Sequence, residues 1–198
     1  MLKVDGAGIW SRLQSGLAQL TPVSARVLNR AAVTLKRRWP AAAKRDISQQ
    51  FALKSKKISS SLRSTISGGS VSLTAVGRPQ PLSFYPARQN SRGVSVQIEK
   101  GAPIQIDHAF LRVPAGAPQA GLQVMIRLAA AASMPTGIEI VTVNGQRTKH
   151  GYPLGILRGL TVAQMLAYGD REDRLLDFAG TVLSNEIDRL NLAEVLRG

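Results

Sequence analysis

The chain has no cysteine and only two histidines, His108 and His150, in 198 residues. Disulfides and thiolate metal sites are therefore excluded, while redox chemistry leaves the compartment open. Two separated imidazoles without clustered carboxylates do not close a three-ligand metal site. His108 beside Asp107 accordingly reads as a surface pair at a strand end, and His150 as a turn residue. Aromatics are scarce as well, with four Phe, three Tyr and two Trp. A core filled mainly by aliphatic residues and alanine gains from burial supplied at subunit interfaces, which points to oligomerisation. Long apolar runs are also missing. The longest, around Leu122 to Met134, is broken by Gln123 and Arg127, short of the ~20 apolar residues of a membrane span. The first twenty residues lack the apolar stretch and small-residue cleavage site of a secretory signal. The expectation is a product of the cytoplasm with no membrane partner.

Acidic residues are the remaining shortage: 26 Lys+Arg stand against 12 Asp+Glu, a formal net charge of +14. The excess is uneven. Residues 1–70 hold 13 basic against 2 acidic side chains, 71–160 hold 9 against 3, and 161–198 reverse the balance with 4 against 7. A basic front and an acidic tail attract nucleic acid, an acidic protein surface, or each other between subunits. KRR at Lys36, Arg37 and Arg38, KR at Lys44 and Arg45, and KSKK with Lys54, Lys56 and Lys57 are the candidate contacts to DNA or to an acidic partner. The alternative reading is a solvated helix exterior. No helix-turn-helix or RNA-recognition motif accompanies the clusters, so they support only non-specific binding.

Chemistry is hard to place. The serines lack a GxSxG context, and the glycines at Gly68 and Gly69 lack the lysine of a phosphate-binding loop. No catalytic, metal-binding or cofactor-binding residues are assigned, and the chain is read as not an enzyme.

The hydrophobic pattern gives the architecture. Ile9, Leu13, Leu17 and Leu20 have helical spacing. Thr21 and Pro22 then cap a helix whose stripe is Val23, Val27, Ala31, Leu35 and Trp39. Pro40 is expected to kink or restart it, with a second helix carrying Ala43, Ile47 and Phe51. A third piece turns Leu53, Ile58 and Leu62 inward, and helical structure ends at Ser67 to Ser70. Strands are expected over Val71–Val76, Leu82–Tyr85, Gly93–Ile98, Ile104–Ile106, Ala109–Val113 and Gly121–Leu128. Pro114 to Gly121, PAGAPQAG, reads as a projecting hairpin arm. Asn144-Gly145 signals a type I′ turn. Thr161 caps a short helix stopped by Gly169. A long helix follows, with Asp170, Glu172 and Asp173 at its start and the stripe Leu176, Ala179, Leu183, Ile187 and Leu190.

The chain is therefore expected to be α+β: N-terminal basic helices in residues 1–70, a central, mostly antiparallel sheet over 71–149, and C-terminal helices over 150–198 packing on the sheet, all in one compact domain. The segment Pro81 to Val96, PLSFYPARQNSRGVSV, sets Phe84 and Tyr85 before Arg88, Gln89, Asn90 and Arg92. Aromatics beside planar, multi-donor side chains suit a surface that binds something large. Candidate interface residues are Phe84, Tyr85, Arg88, Gln89, Arg92, Phe110, Pro114 and Pro118.

The pattern PL..F.ARQ..RGVSV, with FLR at Phe110 to Arg112 and GYPLGILRGLTVAQML at Gly151 to Leu166, resembles the minor tail protein Z family of lambda-like phages and prophages. The likeness extends over roughly Pro22 to Leu166; Thr161 stands where the family pattern has serine. It implies a virion structural protein that completes the tail near its junction with the head. Implied partners are further copies of the chain in a ring-forming homo-oligomer, other tail or head–tail junction proteins, and the phage DNA end. Its place would be the virion, after assembly in the host cytoplasm. The rival reading is a non-specific nucleic-acid-binding protein using the basic N-terminal helices.

Overall fold

The computed structural model describes residues 3–5, 25–67, 70–114, 121–135, 137–147 and 153–195. The expected helix at Ile9 to Leu20, the cap at Thr21-Pro22 and the tip of the arm with Pro118 lie outside them. The fold is α+β, and every pairing within its three sheets is antiparallel. Helix α1 spans Ala25–Gln50. It is followed by α2 at Ser55–Ser61, α3 at Val162–Leu166 and α4 at Arg171–Val195. The strands are β1 Lys3–Asp5, β2 Leu62–Ser67, β3 Ser70–Ala75, β4 Ala87–Gln89, β5 Gly93–Glu99, β6 Ala102–Asp107, β7 Phe110–Arg112, β8 Gln123–Arg127, β9 Glu139–Arg147 and β10 Pro153–Arg158.

Instead of one continuous sheet, the described residues form three, ordered β1-β3-β2, β4-β5-β6 and β7-β8-β10-β9. The chain divides into two compact units that interleave along the sequence. The first gathers Met1–Ile47, Ser59–Gly77 and Leu166–Gly198, and the second Ser48–Ile58 and Arg78–Met165.

In the first unit, α1 runs unbroken through Pro40, so no second helix restarts there. A helix-interior proline costs about 3 kcal/mol through its missing N–H and its ring clash. Opposing that cost is a stripe of buried residues at four-residue steps on both sides of it: Val27, Ala31, Leu35, Trp39, Ala43 and Ile47. Fully burying each larger aliphatic member contributes roughly 1.5–3 kcal/mol. The helical reading of Leu62 to Thr65 also fails. Leu62–Ser67 forms a six-residue antiparallel ladder with β3, from Leu62 opposite Ala75 to Ser67 opposite Ser70. Backbone pairing with an adjacent strand therefore overrides the helical spacing of Leu62.

Helix α4 meets α1 through named contacts. Trp39 is completely buried, and its Nε1–H donates to the Leu175 carbonyl at 3.1 Å. Leu175, one residue before the expected Leu176, therefore faces inward, with Ala179, Val182, Leu183, Ile187 and Leu190. At the start of α4, the side chain of Arg171 is only 2% exposed, and its Nε–H donates to Asp46. Arg174 Nη2 donates to the same carboxylate at 3.1 and 3.2 Å and its Nη1 to Asp170, one helical turn back. The hydrogen bond from Arg174 holds the Asp170 carboxyl below its ordinary pKa, and the same bond raises the Arg174 guanidinium.

In the second unit, β4-β5-β6 is a meander and β7-β8 a hairpin. Leu82–Tyr85 is not a strand: Leu82–Phe84 forms a 3-10 turn between prolines 81 and 86. Asn144-Gly145 does not reverse the chain either. Both residues lie within β9, where the ladder passes from Thr142 to Arg147 on one side but only from Gly155 to Pro153 on the other. The extra residues bulge out of the ladder. The short helix α3 is capped as expected. Thr161 Oγ1 accepts from the Gln164 N–H at 3.0 Å, and Gln164 Oε1 accepts from the Thr161 N–H at 2.8 Å, a reciprocal capping box. Gly169, at φ 65°, sits after it in the left-handed conformation that ends helices.

Removing one partner of a buried ion pair leaves the other without its counter-charge, so Asp46→Ala, which takes the carboxylate from the buried Arg171 guanidinium, is expected to lower stability by about 3–5 kcal/mol. Urea unfolding monitored by circular dichroism measures it, as a fall in midpoint at constant slope.

Candidate functional site

The hairpin of β4 and β5 carries most of the candidate interface. Its turn is built by Asn90, whose Oδ1 accepts from the backbone N–H groups of Arg92 at 3.0 Å and Gly93 at 2.9 Å. An asparagine suits this role because its short side chain hydrogen-bonds backbone two residues on. Asn90 Nδ2 also donates to Gln105 on β6 at 2.8 Å. Gly93 is required by packing, since a Cβ there would run into the Ile106 carbonyl oxygen. This hairpin holds Arg88, Gln89 and Arg92 exposed along one edge. Arg92 pairs with Asp107 at 3.3 Å, with both side chains largely in water. Such a pair contributes at most about 1 kcal/mol and leaves the arginine available.

Gln89 has an additional task. Its Oε1 accepts from the Leu111 N–H at 2.9 Å, so the ARQ segment is tied to β7 and half-buried Phe110. The C-terminal segment ties in on the other side of the 3-10 turn. The Gly159 N–H donates to the Gln80 carbonyl at 2.8 Å, and Pro81 bridges to Arg158. The hydroxyl of Tyr85 donates to the Leu160 carbonyl at 3.4 Å. A Cβ on Gly159 would stand 3.1 Å from Leu82 Cδ2, a tight contact to which the leucine side chain would have to yield. Residues 81–96, 110–112 and 153–160 thus converge within one unit.

Two expected interface residues are turned inward. Tyr85 is 2% exposed, and burial pushes its phenol pKa up. Pro114 is buried also. Neither presents a surface to a partner; both brace the 3-10 turn and the end of the β7 strand from within. Phe84 is half-buried, with the Lys57 ammonium 4.0 Å from its ring centroid, a cation–π contact. Lys54 reaches the Ser83 carbonyl at 3.5 Å. The structure therefore joins two groups that were separate in sequence, the KSKK cluster and the aromatic pair. They border a shallow groove of about 600 Å³ whose lining includes Lys54, Phe84, Leu111 and Leu122.

The other basic residues lie on α1. Lys36, Arg37, Arg38 and Arg45 are exposed, and Lys44 is half-exposed. At 100° per residue, Arg37, Arg38, Lys44 and Arg45 share one side of the helix, while Lys36 points elsewhere. Facing that side on α4 is Glu186, which sequence reasoning missed. Its carboxylate accepts from Arg189 Nη2 at 2.6 Å and from Thr34 Oγ1 at 3.3 Å. The Arg189 hydrogen bond, aided by Thr34 and the charge of Arg38, holds the Glu186 carboxyl below its ordinary value. The signal available in the sequence was the Glu186–Arg189 spacing of three on a helix. The pairing across to Thr34 had none.

His108 is exposed and adopts a positive φ of 61° at the turn into β7, and its neighbour Asp107 engages Arg92. Among the described residues no group of three or more His, Cys, Asp or Glu is placed to hold a metal ion, and no helix is long and apolar enough to cross a membrane. His150 lies outside the described residues. Compared with known protein families, curated proteins and solved structures, the chain matches none.

Two outcomes are expected. Gly93→Ala should destabilise by about 1–3 kcal/mol through overpacking against β6, read as a lower thermal midpoint. Because the Glu186 pKa is depressed on folding, its contribution is fully present above the unfolded carboxylate value of about 4.3 and is lost as pH falls through the lower folded value. The stability gap between the native chain and Glu186→Gln should therefore be open at neutral pH and close in acid, as measured by urea midpoints across that range.

Proposed function

We propose that the chain is a structural protein of a phage or prophage tail, similar to the minor tail protein Z family, that completes the tail at its head-proximal end by assembly. The reading rests on the three sequence blocks that carry the resemblance. One observation supports it. Residues 81–96, 110–112 and 153–160 are remote in sequence, yet they hold one another through Gln89 to Leu111, Gly159 to Gln80 and Tyr85 to Leu160. A pattern whose members support one fold element carries more than scattered matches of the same length.

In this reading, the work of the protein is to fit surfaces together. Arg88, Gln89 and Arg92 offer planar donors along the hairpin edge, and the groove beside Phe84 offers apolar area at Leu111 and Leu122. Both features suit contacts to neighbouring subunits, where arginine and aromatic side chains dominate. Closed rings follow from cyclic symmetry at a tube end. The partners proposed are further copies of the chain, adjacent tail or junction proteins and the DNA end.

Assembly on isolated tails tests this. The purified chain added to tails made without it should co-sediment with them and add density at the head-proximal tip in electron micrographs. Arg88→Glu should weaken that association by about tenfold or more, since charge reversal at an interface costs upwards of ~1.4 kcal/mol. A chain that ignores such tails, or binds along their length, removes the proposal.

A further inference from the structure

We infer that the trough between α1 and α4, within the first unit, binds the phosphate backbone of a nucleic acid through Arg37, Arg38 and Arg189. The inference stands apart from the tail-assembly reading and does not need it. The trough has a volume of about 800 Å³, and its lining includes Thr34, Arg37, Arg38, Asn185, Glu186 and Arg189.

The argument begins with charge. Helix α1 carries seven Lys or Arg and one acid, Asp46. That acid already accepts from Arg171 and Arg174 of α4. Nothing on α1 is left to neutralise the outward arginines, and among the described residues neither Arg37 nor Arg38 forms a salt bridge. Among the described residues, the one carboxylate lining the trough, Glu186, is engaged by Arg189 and Thr34. Three guanidinium groups against one carboxylate leave the site cationic at neutral pH.

Geometry then selects the partner. Arg30, Arg37 and Lys44 recur every seven residues, a spacing of about 10.5 Å along one side of the helix. That is close to three steps of a nucleic-acid strand at about 3.4 Å per charge. Most of the cations are arginines, whose planar forks match phosphate oxygens two at a time. Thr34 and Asn185 supply a hydroxyl and an amide of the kinds that bind phosphate and sugar. Among the described residues no aromatic side chain lines the trough, so bases have no stacking platform there and binding is independent of sequence. Glu186 acts as a built-in competitor: phosphate must displace its hold on Arg189.

Fluorescence anisotropy with a labelled, random-sequence DNA duplex, titrated at several salt concentrations, tests the inference on the full chain. Arg37→Ala with Arg38→Ala should weaken binding about tenfold or more and reduce the salt slope by about two. Glu186→Gln should strengthen it severalfold by releasing Arg189. Arg63→Ala with Arg78→Ala removes the same charge from exposed positions elsewhere and should change affinity little. Alanine is compatible with the helix at positions 37 and 38, and circular dichroism checks that each variant folds. An equal loss from the two double variants would mean net charge alone and overturn the site. Equal binding of polyglutamate with the same dependence on Arg37 and Arg38 would assign the trough to an acidic protein and overturn it as well.

Discussion

Arg171 is an arginine almost without access to water, and the carboxylate that compensates it comes from a helix more than a hundred residues earlier. Burying a guanidinium is costly unless its charge and donors are met, so its position is constrained far more tightly than an aliphatic residue's would be. Asp46 and Trp39 stand seven residues apart, two turns of α1, and reach Arg171 and the Leu175 carbonyl, one turn apart on α4. Both contacts can be made only if α1 keeps its helical register between them. Pro40 lies in that interval. The continuity of the helix through a proline is thus a consequence of its partner as well as of its own buried stripe.

The same contacts arrange the charge of the first unit. Three of the acidic residues described there, Asp46, Asp170 and Glu186, are drawn into pairs with arginines that join or flank α1 and α4. The arginines of α4 do most of this neutralising, although the C-terminal region is acidic overall. The cations of α1 are left facing outward. A strongly basic chain therefore has a surface more positive than pairing across its own sequence would leave it, which favours association with polyanions.

In the second unit, tight packing against glycine recurs, and at Gly93 the neighbour is backbone. Gly93 lies against β6, Gly155 against Ile140 and Leu128, and Gly159 against Leu82 and Tyr85. Gly93 lies in the β4–β5 hairpin, Gly155 in β10 and Gly159 just before α3. Asn90 and Thr161 add side-chain caps to the same segments. These residues shape the backbone, the glycines by close packing and Asn90 and Thr161 by accepting from main-chain N–H groups.

Periodicity within the sequence determined the buried faces of α1 and α4, the strands β3, β5, β6, β7 and β8, and the cap at Thr161, because each depends on neighbours a few residues away. Composition determined the excess of positive charge by simple count. Tertiary structure decided the rest. Tyr85 and Pro114 turned inward, Leu62 joined a strand, Asn144-Gly145 became a bulge, and Lys57 settled over Phe84. It also chose Asp46 for Arg171 and Glu186 for Thr34. The physical reason is common to all of them: long-range pairing and the desolvation of polar groups depend on which remote segments meet, and local spacing does not encode that.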